Sequence, residues 1–204
     1  MEEMLAQLKG RDSALDGIIE RIAFPQIKNT HDVFEDLSSC ILDMRIHYAP
    51  SRAAFRYPRL KQLIKGARIT PDLILRMPDE VLLPLKLSQQ KHESLRLWAT
   101  KWKDEALAEL DWFSMTDAEV AKTLDGIKGM SSWTTQVILL FTLERPDIFP
   151  VGDYQLKKAF SEVYHLEENK ALVPKMTKIA EAWRPYRSLG CRYLWKWRSS
   201  GVAL

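Results

Sequence analysis

The chain has 204 residues, of which 46% are hydrophobic, and its 30 basic and 27 acidic residues give a net charge of +3. Such a length allows one domain or two small ones, and so slight a basic excess permits nucleic-acid binding without requiring it. The two cysteines, Cys40 and Cys191, lie far apart and form no Cys-x-x-Cys pair, which excludes a cysteine-based zinc or iron–sulfur site. The acidic start has no apolar signal region and the longest apolar run, 137–141, is too short to span a membrane, so we expect a cytoplasmic protein.

Apolar residues recur at helical spacing along most of the chain. The first helical segment ends at Phe24-Pro25, and the second follows a capping cluster at 29–32 and ends near His47. Later helix starts are predicted at Thr70-Pro71, at Ser88 and at Thr116, where Glu119 completes a capping box. No segment alternates apolar and polar residues over the length of a strand, so we expect an all-α fold of roughly ten short helices.

Two charged features lie in the first half of the chain. Asp32, Asp36 and Asp43 recur along the second predicted helix, and we expect a solvated face there rather than a metal site. Residues 51–70 contain no acid but carry six cations: Arg52, Arg56, Arg59, Lys61, Lys65 and Arg68. Two interpretations of this stretch stay open, a solvated helix face over an apolar strip and a surface that faces DNA phosphates.

The stretch 124–153 carries the most specific pattern. A helix ends at Asp125-Gly126, a short turn follows, and a second, strongly apolar helix runs from 132 to about 144. Gly129 suits the positive φ that such a turn requires, and backbone N–H groups at 130–133 can bind a phosphate without reading a base. A loop that contains two prolines follows and leads to Asp153. Asp153 lies at the start of the next helix, which we predict over 153–164.

This pattern resembles the helix-hairpin-helix of the DNA glycosylase superfamily whose hairpin is followed by a Gly-Pro-Asp loop. The catalytic Asp of that superfamily follows an apolar helix and a loop, as Asp153 does here. The AlkA-type 3-methyladenine branch has Trp where Trp133 stands and Asp-Tyr where Asp153-Tyr154 stands. Residues 83–91 and 183–188 are similar to that branch's Gly-Leu-Ser-x-x-Lys and Trp-Arg-Pro-Trp-Arg-Ser segments, and the resemblance covers about residues 30–198.

The resemblance implies an all-α fold of two helical subdomains with a cleft between them and the hairpin at the cleft. The first subdomain would be 32–149, with the hairpin at about 117–144, and the second would combine 1–31 with 150–204 and carry the catalytic Asp153 at its start. The implied function is a base-excision repair glycosylase that flips out and hydrolyses alkylated purines of the 3-methyladenine and 7-methylguanine type. Bifunctional relatives attack the sugar with a Lys, and Trp133 at that position implies a monofunctional enzyme without Schiff-base lyase activity.

The resemblance also implies a set of site residues and partners. The base pocket would be formed by Trp133, Tyr154 and Trp195. His47, at the end of a helix expected to face the same cleft, is a further candidate for the pocket, and an ordinary helix-end histidine is the alternative. The DNA contacts would be made by Lys128, Gly129, Met130, Ser131, Ser132, Thr134 and Arg45. A structural Na+ or K+ would bind backbone carbonyls of Asp125, Ile127 and Met130, and no other cofactor is expected. The partner would be double-stranded DNA with damaged bases, bound by a monomer of the bacterial cytoplasm, associated with the nucleoid and not with a membrane.

The chain departs from the family in its turn and in two loops. Ser131 replaces the second hairpin glycine and tolerates a positive φ poorly, which predicts an altered turn. Lys128 replaces the usual proline, Val151-Gly152 replaces Gly-Pro, and 43–46 does not match the segment that enters the DNA, so the intercalating residue stays open. Two alternatives also remain: a glycosylase for a deaminated or oxidised base, and a DNA-binding hairpin module without chemistry.

Overall fold

The computed structural model describes residues 2–27, 29–44, 55–126 and 131–203. Within these ranges the chain forms helices and no strand, which confirms the predicted all-α class. The helices are α1 (Glu2–Leu8), α2 (Ser13–Arg21), α3 (Val33–Asp43), α4 (Arg56–Leu63), α5 (Pro71–Arg76), α6 (Asp79–Leu82), α7 (Gln89–Asp104), α8 (Asp117–Leu124), α9 (Ser132–Val137), α10 (Tyr154–Tyr164), α11 (Leu172–Ala180) and α12 (Arg187–Ser200). Short 3-10 turns lie at Leu83–Leu85, Leu107–Glu109 and Glu181–Trp183, and a π turn, Ile138–Thr142, continues α9. Among the described residues, no helix is long and apolar enough to cross a membrane.

The chain divides into two compact units by its own contacts. The hairpin unit is Asn29–Leu143, and the Asp153 unit combines Met1–Lys28 with Glu144–Leu204. The subdomain boundaries predicted from the sequence, 32–149 against 1–31 and 150–204, stay a prediction.

Helix starts in the hairpin unit follow the predicted capping chemistry. The Thr70 hydroxyl accepts the N–H of Leu73 in front of the proline that opens α5. Thr116 and Glu119 form the complete capping box at the start of α8, with the Glu119 carboxylate accepting the Thr116 N–H at 2.7 Å. These starts were predictable because each cap lies within three or four residues of the groups that it satisfies.

The acids of α3 are buried, so the expectation of a solvated face is wrong. Asp32 is 8% exposed and Asp36 is fully buried, because α3 packs against α4, α7 and the π turn. Asp36 accepts hydrogen bonds from the hydroxyls of Thr30 and Thr142, at 3.1 and 2.8 Å. A buried carboxylate requires such partners, since burial without them costs several kcal/mol, on the order of the desolvation penalty of an ion.

Cations of the acid-free stretch supply further partners for α3. Lys61 pairs with Glu35 at 2.9 Å, Arg68 with Asp32 at 2.5 Å and Arg56 with Asp43 at 3.8 Å. These three cations therefore neutralise buried acids of their own unit, a role that neither interpretation of the stretch included. Among the described cations of the stretch, Arg59 and Lys65 form no ion pair with a described acid, and the interpretation of the stretch as a surface that faces DNA stays a prediction.

The Asp153 unit is built around α12, which packs against α2 and α10. Trp183, just before α12, is fully buried and stacks on Phe160 with 5.3 Å between ring centroids. Its indole N–H donates to Asp12 at 2.9 Å, and the same carboxylate caps the start of α2. This hydrogen bond holds the start of α2 against the turn that precedes α12.

Candidate active site

Asp153 is the N-cap residue of α10. Its backbone is extended, with φ −66° and ψ 126°, and its Oδ1 accepts the N–H of Leu156 at 2.7 Å. The side chain is half-buried. The position therefore matches the predicted one at the start of a helix, where the positive end of the helix dipole favours a carboxylate.

Trp195 holds the same carboxylate oxygen. Its indole N–H donates to Asp153 Oδ1 at 2.9 Å, and its side chain is 8% exposed on α12. Two donors from two different helices fix the plane of the carboxylate more firmly than the cap alone. The sequence predicted Trp195 beside the base and missed this hydrogen bond, which depends on how α10 and α12 pack.

Cys191 lies one turn before Trp195 and is fully buried. Burial raises the pKa of its thiol well above the usual value, and the negative charge of Asp153 adds to that rise. The thiol is therefore protonated at neutral pH, so Cys191 does not serve as a nucleophile beside Asp153.

The loop that leads to Asp153 is attached to the first turn of α12. Ser188 Oγ donates to the carbonyl of Arg145 at 2.6 Å and accepts the N–H of Ile148 at 2.8 Å. The backbone N–H of Ser188 donates to the carbonyl of Pro146 at 3.0 Å. One residue of α12 thus fixes three residues of the loop.

An ion pair reinforces this attachment. The Arg187 guanidinium donates to both carboxylate oxygens of Asp147, at 2.7 and 3.0 Å, and Arg184 donates to the same carboxylate at 2.6 Å. Burial raises the pKa of Asp147, but the hydrogen bonds and charge of Arg187, with the charge of Arg184, bring it below its usual value. Arg184, Arg187 and Ser188 belong to the segment 183–188 of the resemblance, whose polar contacts with the loop the sequence did not reveal.

Tyr154, the first residue of α10, lies at the surface of its unit. Its side chain is 64% exposed, and the Lys158 ammonium lies 5.5 Å from the centre of its ring. The ring is therefore accessible next to Asp153, and its predicted place in a base pocket stays a prediction.

The predicted hairpin residues belong to the other unit and are only partly described. α8 ends at Asp125, and the left-handed residue that follows is Gly126, with φ +75°. Outside the described residues lie several predicted site residues: Ile127, Lys128, Gly129 and Met130 of the turn, together with Arg45 and His47. The cation site therefore stays a prediction, because Asp125 is the one described residue of its three. Among the described residues, no group of three or more His, Cys, Asp or Glu side chains is arranged to hold a metal ion.

Ser131 caps α9, and the altered turn that the sequence predicts stays a prediction, because 127–130 lie outside the described residues. Its φ of −119° and ψ of 162° are extended values that serine adopts readily, and its Oγ accepts the N–H of Thr134 at 3.4 Å. Trp133 is half-buried, Ser132 is exposed and Thr134 is 4% exposed. Thr134 is accordingly the least accessible of the predicted DNA contacts on α9.

The chain is similar in sequence to proteins that are named as DNA-3-methyladenine glycosylases. No protein-family model matches the chain. It is 24% identical over 193 residues to a putative DNA-3-methyladenine glycosylase of Bacillus subtilis, which covers 90% of this chain and 65% of that protein. It is 26% identical over 175 residues to DNA-3-methyladenine glycosylase 1 of Schizosaccharomyces pombe. The aligned region covers 80% of this chain and 71% of that protein. The chain thus spans less than two thirds of the length of the Bacillus relative.

A solved structure shares the fold. The 3-methyladenine DNA glycosylase of Schizosaccharomyces pombe, in complex with abasic DNA, superposes on this chain with a TM-score of 0.79 and 23% sequence identity. The superposition covers 95% of each chain. The all-α architecture of this chain is therefore that of a known fold along nearly its whole length.

Proposed function

Since this chain belongs to the helix-hairpin-helix/Gly-Pro-Asp superfamily of DNA glycosylases, in its 3-methyladenine branch, we propose that it excises alkylated purines from double-stranded DNA. The observation that carries the proposal is the carboxylate of Asp153, held at the start of α10 by Leu156 and Trp195. The names of the relatives support the alkylated purine as substrate. The enzyme would act as a monomer on the DNA of a bacterial cytoplasm.

The carboxylate suits the chemistry of base excision. Cleavage of the N-glycosidic bond passes through a cation-like sugar, which a nearby carboxylate stabilises while it orients water. Two hydrogen bonds to Asp153 Oδ1 keep the carboxylate in one orientation, so its charge needs little reorganisation as the sugar cation forms. A purine alkylated at N3 or N7, such as 3-methyladenine, carries a positive charge while it is bonded to deoxyribose and leaves without protonation by a general acid. One acid is then sufficient.

Aromatic side chains would hold the base outside the stack. Base flipping costs a few kcal/mol, and a damaged base costs the least. An electron-poor alkylated ring gains a further contact from the face of an indole. We propose Trp133, Trp195, Tyr154 and His47 for this role on the basis of the sequence alone. Lys128, Gly129, Met130, Ser131, Ser132 and Thr134 would bind the DNA backbone, and Arg45 would also contact the DNA.

The two alternatives differ from this proposal in chemistry. A neutral deaminated or oxidised base leaves less readily without protonation, so it fits a mechanism with a single carboxylate less well than a cationic lesion does. A DNA-binding module without chemistry would need Asp153 only as the cap of α10, a role that serine or asparagine fills equally well. Alkylated purines therefore remain the favoured substrates.

Release of free bases from methylated duplex DNA tests the proposal. Chromatography of the products is expected to show 3-methyladenine and 7-methylguanine, with abasic sites left in the strand. Duplexes that contain hypoxanthine, uracil or 8-oxoguanine serve as the comparison. Release from one of these and not from methylated DNA would mean another lesion, and DNA binding without release from any would mean a binding module.

Trp133 predicts that no covalent intermediate forms with DNA. An indole does not form a Schiff base with the sugar, so borohydride added during the reaction should trap no protein–DNA adduct. A bifunctional glycosylase on its own lesion provides the positive control in the same gel. An adduct of this protein in similar yield would show that the enzyme has a lyase activity.

A further inference from the structure

The loop that carries Asp153 is attached to α12 at both of its ends. At the first end, Ser188 and Arg187 bind residues 145–148. At the other end, Trp195 binds Asp153 itself. Helix α12 therefore fixes the distance between the two ends of the loop. It also fixes the position of the Asp153 carboxylate.

The geometry of α12 makes these two attachments interdependent. Ser188 and Trp195 are separated by about two helical turns, or roughly 10 Å, and lie on the same face. Both side chains are buried against the rest of the unit, as is Cys191 between them. A packed helix shifts as a body and does not stretch, so a displacement at its first turn moves the Trp195 indole relative to Asp153.

The Asp147–Arg187 pair is an ion pair that joins the first end of the loop directly to α12. The Arg187 side chain is 14% exposed and that of Asp147 is 25% exposed, so solvent screens the pair only in part. Its two parallel hydrogen bonds fix direction as well as distance. The Arg187 guanidinium also donates a third hydrogen bond, to the backbone carbonyl of Asp147 at 2.9 Å. Arg187 therefore holds the backbone of the loop as well as the Asp147 side chain.

We infer that Asp147 and Arg187 are positioning residues for excision. Their ion pair fixes the position of α12 relative to the loop, and the position of α12 determines the geometry of the Trp195–Asp153 hydrogen bond. Neither residue would touch the substrate. Loss of the pair leaves Asp153 in the chain but lets its carboxylate turn away from the sugar. This inference rests on the proposed function for its consequence in catalysis, but its structural part can be tested without a substrate.

Asp147→Asn is the direct test, because it keeps the shape of the side chain and removes its charge. The single-turnover rate of 3-methyladenine release should fall about tenfold, since small displacements of a catalytic group are costly. The dissociation constant for abasic duplex DNA should stay within about twofold, because the hairpin is untouched. Glu168→Gln is the matched control: it makes the same change in an exposed pair with Lys158 in the same unit, and both quantities should be unchanged.

The indole N–H signal of Trp195 reports the geometry independently of activity. The chain has seven tryptophans, and Trp195→Phe assigns the relevant signal in a 1H–15N spectrum. This signal should move in Asp147→Asn and stay in place in Glu168→Gln. If the wild-type protein releases no base, the proposed function fails, while the shift of this signal still tests the positioning role.

An unmoved Trp195 signal and a normal rate per folded molecule in Asp147→Asn would overturn the inference, even if the free energy of unfolding fell. Such a result would make the pair a stabilising contact alone. If Asp147→Asn does not fold, Arg187→Lys provides the same measurements. It keeps the charge and loses the two parallel bonds, so the signal should move and the rate should fall by a smaller factor than tenfold.

Discussion

Asp153→Asn is expected to slow base release by about a hundredfold or more, and to leave the affinity for abasic duplex DNA within about twofold. The amide has no charge with which to stabilise the sugar cation. It still offers an oxygen to the N–H groups of Leu156 and Trp195, so the start of α10 should keep its structure. Single-turnover release from methylated DNA measures the first quantity, and fluorescence anisotropy with labelled abasic DNA measures the second.

Glu162→Gln is the control for this variant. Glu162 lies on the same helix, is exposed and pairs with Arg198 at 3.2 Å. Its conversion to an amide removes an equal charge at a distance from the start of α10, and release should continue at the wild-type rate. A normal rate in Asp153→Asn would show that another group drives the chemistry.

Gly190→Ala is expected to lower the free energy of unfolding by about 2 kcal/mol. A Cβ at this position would lie 2.5 Å from Trp183 Cε3 and 3.0 Å from Cδ2, far inside normal contact distances. The Trp183 ring is fully buried, stacks on Phe160 and donates to Asp12, so it has little room to retreat. The loss outweighs the gain of about 1 kcal/mol that alanine brings to a helix.

Gly17→Ala, in α2 of the same unit, is the matched control. Its new Cβ would meet only the end of the Arg21 side chain, at 3.2 Å, and that flexible group can move aside. This variant should be neutral or more stable than the wild type in urea denaturation. Equal stability of the two variants would mean that Trp183 shifts at little cost.

Sequence reasoning succeeded where the determining contacts are local. The capping box of Thr116 and Glu119 and the cap at Asp153 each involve groups three residues apart, so residue type and spacing were enough. Gly126 has a positive φ just after α8, and the positive φ predicted for Gly129 stays a prediction. At Ser131, the replacement of a glycine predicted an altered turn, and the structure adds that this residue is the cap of α9.

Contacts between distant residues were beyond the sequence. The Trp195–Asp153 bond joins residues that are 42 positions apart, and Asp147–Arg187 joins residues 40 apart, so both depend on the packing of α12. The acids of α3 were expected in solvent because charged residues are rarely buried. The sequence contained the matching cations at 56–68, but no local pattern connects Glu35 to Lys61 across 26 residues.

The central claim is that the Asp153 carboxylate drives the excision of alkylated purines, and the most direct measurement compares the wild type with Asp153→Asn on one substrate. Both proteins are incubated in excess over the same methylated duplex, and the free bases are quantified by chromatography over time. We expect the wild type to release 3-methyladenine, and the variant to bind the duplex and release almost none. Equal release by both proteins, or none by a wild type that binds the duplex, would contradict the claim.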